Sequence, residues 1–196
     1  MDRRLFLAAL CGATFPHVSL AAERFHVSPY DEGKVEYKFR RREVAYKSPE
    51  PTGTVVVDLR KRFLFYVLPK GRAIRYGIGV GSQYTRWSGV ATINRKTKWP
   101  TWTPTREMLA RHKHYSKWAK GMAGGPDNPL GARALYLLNE GGVDNQFRIH
   151  GSPWPETIGK ATTSGCFRML NADVIDLYDR VTLGTRVVVL SGKRGT

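Results

Sequence analysis

Thr54-Val55-Val56-Val57-Asp58-Leu59 and Phe63-Leu64-Phe65-Tyr66-Val67-Leu68, separated by Arg60-Lys61-Arg62, set the fold class. Two short runs of β-branched and aromatic residues around a three-residue polar break read as a β-hairpin. The next run, Ala73 to Val80, puts Ile74, Tyr76, Ile78 and Val80 on one face, so a third strand follows. Further strands are expected near residues 90–93, 134–138, 147–150 and 186–190. Helical signals are fewer. Thr103-Pro104 reads as the cap and first position of a helix running to about His114. Asn171 reads as the cap of a second helix with an apolar stripe of Val174, Leu177, Tyr178 and Val181 and with Gly184 past its end. The expected fold is mainly β, a mixed sandwich or barrel with one or two packed helices.

The chain has 196 residues, 41% of them hydrophobic, with 32 Lys and Arg against 16 Asp and Glu. That apolar share can build a core, which excludes a disordered polycation. No apolar run approaches the roughly 20 residues of a membrane span. Arg3-Arg4 directly before Leu5-Phe6-Leu7, followed by Ser19-Leu20-Ala21, reads as an export signal over residues 1–21, of either the twin-arginine or the general secretory kind. Leu10 argues against a lipid anchor at Cys11. Cleavage after Ala21 removes Cys11 and one net positive charge, leaving a +15 chain with one cysteine and no stable membrane insertion. Residues 22–52 read as an arm, with seven basic and six acidic residues over 23–50, that either packs on the domain or stays mobile. Residues 53–191 form the main domain and 192–196 a tail.

Cys166 lies in Thr162-Thr163-Ser164-Gly165-Cys166-Phe167-Arg168-Met169, a polar stretch rather than an apolar run. A glycine before a nucleophile lets backbone N–H groups approach a reacting oxygen, and an arginine two positions later supplies positive potential. The matching base is His150, at the end of the alternating segment Phe147-Arg148-Ile149-His150-Gly151-Ser152. His112 and His114 read as solvated surface residues, and nothing in the pattern requires a metal or a cofactor. Charge is concentrated: residues 60–120 hold 15 Lys and Arg against the single acid Glu107. With Trp87, Trp99, Trp102 and Trp118 inside this block, a nucleic-acid surface is one reading. Export argues against nucleic acid and toward acidic wall peptides, glycans or envelope lipids.

His150-Gly151-Ser152, Ile158-Gly159 and Thr163-Ser164-Gly165-Cys166-Phe167-Arg168-Met169 resemble, in that order, the active-site signature of the L,D-transpeptidases with a YkuD-type catalytic domain. Gly125-Pro126-Asp127-Asn128-Pro129-Leu130-Gly131 and Trp99 to Pro104 resemble segments of envelope-bound bacterial members. The resemblance runs from about Gly53 to Leu190 and implies a mixed β domain, placed in the periplasm or cell envelope, that acts on peptidoglycan stem peptides as donor and acceptor. It implies Cys166 as nucleophile and His150 as base, with a backbone carbonyl of Gly151 or Ser152 fixing the imidazole. It further implies an oxyanion hole from the N–H groups of Ser164, Gly165 and Cys166. Arg168 matches the family arginine, suited either to a substrate carboxylate or to a structural salt bridge. Trp99 and Trp102 are read as a wall orienting the donor stem, or else as part of a rigid loop. Many members have histidine where this chain has Ser164, so no second imidazole is assigned. The activity implied is acyl transfer from the third stem residue, diaminopimelate, to an amine, making 3–3 cross-links or attaching a protein acceptor to the wall. A hydrolase on the same scaffold and a non-catalytic wall- or polyanion-binding module are the alternatives.

Overall fold

In a computed structural model, residues 23–28, 33–81, 87–163 and 165–190 are described. The expected leader, the tail 192–196 and Ser164 lie outside them. The hairpin forms as expected: β2 (Val55–Asp58) pairs antiparallel with β3 (Phe63–Leu68), and Asp58 faces Phe63 across the turn. Val55, Val57 and Leu64 point into the main core, while Val56, Phe65 and Val67 pack on the opposite face with Val44 and Tyr46.

The third strand divides. β4 (Arg72–Gly77) continues the sheet, but β5 (Val80–Gly81) leaves it to pair with β9 (Ala161–Thr163). Between them Gly79 exchanges two backbone hydrogen bonds with Arg168, of 2.8 and 2.9 Å. This contact joins one side of the sheet to the other and curls it around the core that holds Ile74, Tyr76, Ile78 and Val80. The remaining strands are β1 (Arg42–Ala45), β6 (Gly89–Lys98), β7 (Arg133–Asn139), β8 (Asp144–His150), β10 (Phe167–Arg168) and β11 (Arg186–Leu190). The nine-stranded sheet runs β1-β4-β3-β2-β11-β6-β7-β8-β10, parallel only at β2–β11 and β8–β10. β6 extends beyond residue 93 because β7 pairs with it as far as Lys98 and Arg133. Its polar sequence hides this: Lys96 lays its stem inward, with Nζ 2.6 Å from the Val181 carbonyl and 4.2 Å from the Tyr178 ring centre.

Both helices start differently from the sequence expectation. α1 (Arg106–Arg111) is capped by Thr105, whose hydroxyl accepts the Met108 N–H at 3.2 Å. Trp102 is held extended by two backbone hydrogen bonds with Met122, so Thr103 and Pro104 precede the helix. The chain after α1 tightens into a 3-10 turn over Lys113–Trp118. α2 (Asn171–Arg180) follows Leu170 as its flanking residue, and Asn171 turns its side chain elsewhere. Val174, Leu177 and Val181 cover the core, and the Tyr76 hydroxyl donates to Asp176 at 2.5 Å. Burial and that carboxylate push the Tyr76 phenol far above its ordinary value.

Residues before 53 contribute to the same body. β1 is the edge strand against β4, and Val35 and Phe39 pack with Ile158 and Leu170. Arg41 reaches Asp173 and Asp176 on α2 at 3.6 and 3.4 Å. Phe39 lies so close to Gly159 that a Cβ there would overlap its ring, and Gly159 sits at φ 79°. Gly159→Ala combines overlap with left-handed strain and is expected to cost about 2–4 kcal/mol, read as a lowered urea midpoint at unchanged m.

Candidate active site

β8 and the turn that enters β10 place His150 and Cys166. In their parallel register Phe167 faces Ile149 and Arg168 faces His150, and the Met169 N–H donates to the His150 carbonyl at 2.8 Å. Ile149 and Phe167 are fully buried in the core. Strand alternation therefore directs Arg148 and His150, with Cys166 and Arg168, to the opposite face. His150 and Cys166, sixteen residues apart in sequence, are thereby brought to one face of one strand pair.

His150 is 4% exposed, and its Nδ1 is 2.6 Å from the carbonyl of Gly151. That carbonyl can only accept, so Nδ1 carries the proton and Nε2 keeps its lone pair. Gly151, not Ser152, holds the imidazole. Ser152 instead closes the following turn, its hydroxyl accepting the Trp154 N–H at 3.1 Å. Burial lowers the His150 pKa to about 4; the Gly151 carbonyl opposes this, and the charges of Arg168 and Arg148 add to it. The imidazole is neutral at neutral pH, as a general base requires.

Cys166 is half-buried and carries a free thiol. Burial pushes the thiol up from its ordinary value, the Arg148 N–H and the Arg148 and Arg168 charges pull it down, and Asp144 opposes them. Its Sγ donates a long contact to the Gln146 carbonyl at 3.9 Å, and Gln146 adopts a left-handed φ of 61°. Both side chains thus favour their neutral forms. Gly165, at φ 134°, makes the turn into Cys166. The Thr163 hydroxyl fixes this turn by accepting the Gly165 N–H at 3.2 Å and donating to the Cys166 carbonyl at 2.8 Å. The Gly165 N–H is therefore occupied, whereas that of Cys166 makes no hydrogen bond among the described residues. The role expected of Ser164 lies outside them.

Asn171 is the support that sequence reasoning missed. Its Oδ1 accepts N–H groups from Ala132 at 2.9 Å and Ser152 at 3.1 Å, tying the loop before β7 to the loop that holds His150. Gly131 and Gly151 enclose it so closely that a Cβ on either would overlap Oδ1. Its cap-like position in the sequence concealed this role. Fully buried Asn128 acts similarly within the Gly125–Gly131 stretch: Nδ2 donates to the carbonyls of Pro100, Met122 and Ala123 at 3.0–3.1 Å. Asn171→Ala leaves two buried N–H groups unpaired and is expected to cost about 2–4 kcal/mol in stability. With Gly151 freed, kcat should fall about tenfold, and Asn171→Asp, which keeps the acceptor, should recover most of both.

Arg168 lies over Trp154, 5.3 Å from its ring centre. Its Nε is buried without a hydrogen-bond partner, and no carboxylate among the described residues forms an ion pair with it. Burial pulls this guanidinium below its ordinary value, while Cys166, Glu156 and Tyr115 act to raise it. Trp99 is buried, with Nε1 donating to Glu23 at 3.1 Å and its ring edge-on to Phe25. Glu23 also pairs with the buried Arg133. Trp102 is buried against Tyr115 and Trp118. His112 and His114 are exposed. Among the described residues no group of three His, Cys, Asp or Glu could hold a metal.

The family model of the L,D-transpeptidase catalytic domain, YkuD, matches residues 52–189. A probable L,D-transpeptidase ErfK/SrfK of Escherichia coli is 32% identical over 143 residues, which are 69% of this chain and 43% of that protein. The chain spans less than half the length of the curated Escherichia coli relatives it matches. A crystal structure described as a probable carnitine operon oxidoreductase from Brucella melitensis is 52% identical, covering 80% of this chain and 96% of that one, with a TM-score of 0.55. An L,D-transpeptidase from Mycobacterium tuberculosis shares the fold at 13% identity, with a TM-score of 0.50 over 72% of this chain and 58% of that one.

Proposed function

Because the chain belongs to the YkuD family of L,D-transpeptidase catalytic domains, we propose that it transfers the acyl group of a peptidoglycan stem peptide through a Cys166 thioester. The observation that carries this reading is the pair at the end of β8 and just before β10: a neutral His150 with its Nδ1 bonded to Gly151, on the same face as a free, half-buried thiol. Sγ attacks the carbonyl of the third stem residue as His150 Nε2 takes the thiol proton. The Cys166 N–H is available to the developing oxyanion, a contribution of about 3 kcal/mol per donor. Collapse breaks the amide bond to the fourth residue, whose amine leaves with the proton from His150. The acceptor amine then attacks the thioester, gives its proton to Nε2 and restores the thiol. Arg168, half-buried and without a carboxylate among the described residues, is the group suited to a donor carboxylate.

Diaminopimelate as third residue, a second stem or a protein as acceptor, and a periplasmic or envelope location belong to the same proposal. They rest on the residue pattern and on the leader-like residues 1–21. No described helix is long and apolar enough to cross a membrane. The test is incubation with a disaccharide-tetrapeptide followed by mass spectrometry. Tripeptide–tetrapeptide dimers with loss of the fourth residue are the expected product. Free tripeptide alone would replace transfer by hydrolysis, and no turnover would reject the acyl-enzyme reading.

A further inference from the structure

A second feature of the same face points to the ligand. The register places Arg95 on β6 beside Tyr136 on β7, and Tyr136 beside Arg148 on β8. Carried one position beyond the β8–β10 pairs, it sets Cys166 beside Arg148. The four residues form one row across β6, β7 and β8 to the turn that enters β10. Regular alternation would give Arg95 the same core-facing side as Ile93, which is fully buried. A register shift between Ile93 and Arg95 leaves Asn94 unmatched and turns Arg95 outward. There its guanidinium lies 3.5 Å from the Tyr136 ring centre, and that of Arg148 lies 4.7 Å from it.

The two arginines differ in one respect. Arg148 is bonded by both terminal nitrogens to Asp144, at 2.7 and 2.8 Å. Arg95 is exposed and forms no ion pair among the described residues. A stacked guanidinium has already lost rotamer freedom, while its N–H edge stays open to a planar, bidentate acceptor. Three strand spacings from Cys166 to Arg95 make about 14 Å at the backbone. The Arg95 side chain leans back one strand toward Tyr136, which shortens the reach to about 10 Å, or about three residues of extended peptide.

We propose that Arg95, stacked on Tyr136 beside Arg148, forms a subsite for a carboxylate of the donor peptide lying about 10 Å from the carbonyl that Cys166 attacks. This rests on the acyl-transfer reading above and adds to it a specificity for acidic donors, delivered by a residue remote from the nucleophile. Arg148 holds Asp144 through both terminal nitrogens, and the Tyr136 ring sets the plane in which the carboxylate docks.

The test compares tetrapeptide donors with free and with amidated side carboxylates. The unaltered enzyme is expected to show a donor KM about tenfold lower for the free acid, the scale of one charge-assisted hydrogen bond. Arg95→Ala should erase that preference, raising KM for the free-acid donor about tenfold without a matching change in acceptor KM, and Arg95→Lys should restore part of it. Equal donor KM values in the unaltered and Arg95→Ala enzymes, or a loss confined to the acceptor, would overturn the subsite. Calorimetric titration of the same two peptides into the Cys166→Ala protein, with and without Arg95→Ala, reads it without turnover. A free-acid preference that vanishes with Arg95 upholds the subsite even if acyl transfer itself fails, and equal binding of acid and amide overturns it.

Discussion

Cys166→Ala is expected to abolish formation of the acyl-enzyme and to lower turnover by about ten-thousand-fold or more, since no second thiol among the described residues can take over as nucleophile. Among the described residues Cys166 is the one free cysteine, so the covalent adduct seen by intact-mass spectrometry after mixing with donor should disappear with it. Cys166→Ser should be nearly as damaged. A hydroxyl is far less acidic than a thiol, and the burial that already raises the Cys166 pKa would disfavour an alkoxide still more. Either variant should unfold within about 1 kcal/mol of the parent, because the side chain is small, half-buried and engaged only by the long contact to the Gln146 carbonyl. Retained activity in a well-folded Cys166→Ala protein would remove the nucleophile assignment.

The second large effect belongs to His150. His150→Gln keeps much of the volume but supplies no base, and kcat should fall about a thousandfold with KM little changed. The same substitution has a signature in stability. His150 has a pKa of about 4 in the folded protein, against an ordinary value of 6.5. Between those values the unfolded chain binds the extra proton and the native state does not, so stability rises with pH across that window. The contribution is fully present above about pH 6.5 and is lost as pH falls through about 4. Its full size is about 3 kcal/mol. Urea midpoints measured from pH 7 down to 4 should therefore fall less steeply for His150→Gln than for the parent. Parallel slopes would mean that the imidazole is solvated or already charged in the native state.

The two halves of the site differ in how far the sequence reveals them. Cys166 and His150 stand out because their residue types are scarce and their contexts, a glycine turn and a strand end, are local. Arg168 follows from its spacing to Cys166. Thr163 and Asn171 carry no such mark, since a hydroxyl in a polar loop and an asparagine before a helix each have an ordinary local use. Their actual partners, the Gly165–Cys166 turn in one case and Ala132 with Ser152 in the other, are fixed by how the loops meet. Trp99 and Trp102 illustrate the converse: their prominence in the sequence is matched by burial, against Glu23 and Phe25 for one and Tyr115 and Trp118 for the other.

By itself the sequence determined the β-rich class, the first hairpin, the core-facing alternation of Ile74 to Val80 and the stripe of α2, and it singled out Cys166 and His150. These depend on side-chain period and on residue chemistry, which are local properties. Tertiary structure decided the break between β4 and β5, the length of β6, the true start of α1 and the outward turn of Arg95. In each case a partner distant in sequence, Arg168 for Gly79, β7 for β6, Met122 for Trp102, Tyr136 for Arg95, provides hydrogen bonds or a packing surface. Those pairings outweigh the small preferences by which local sequence chooses its structure.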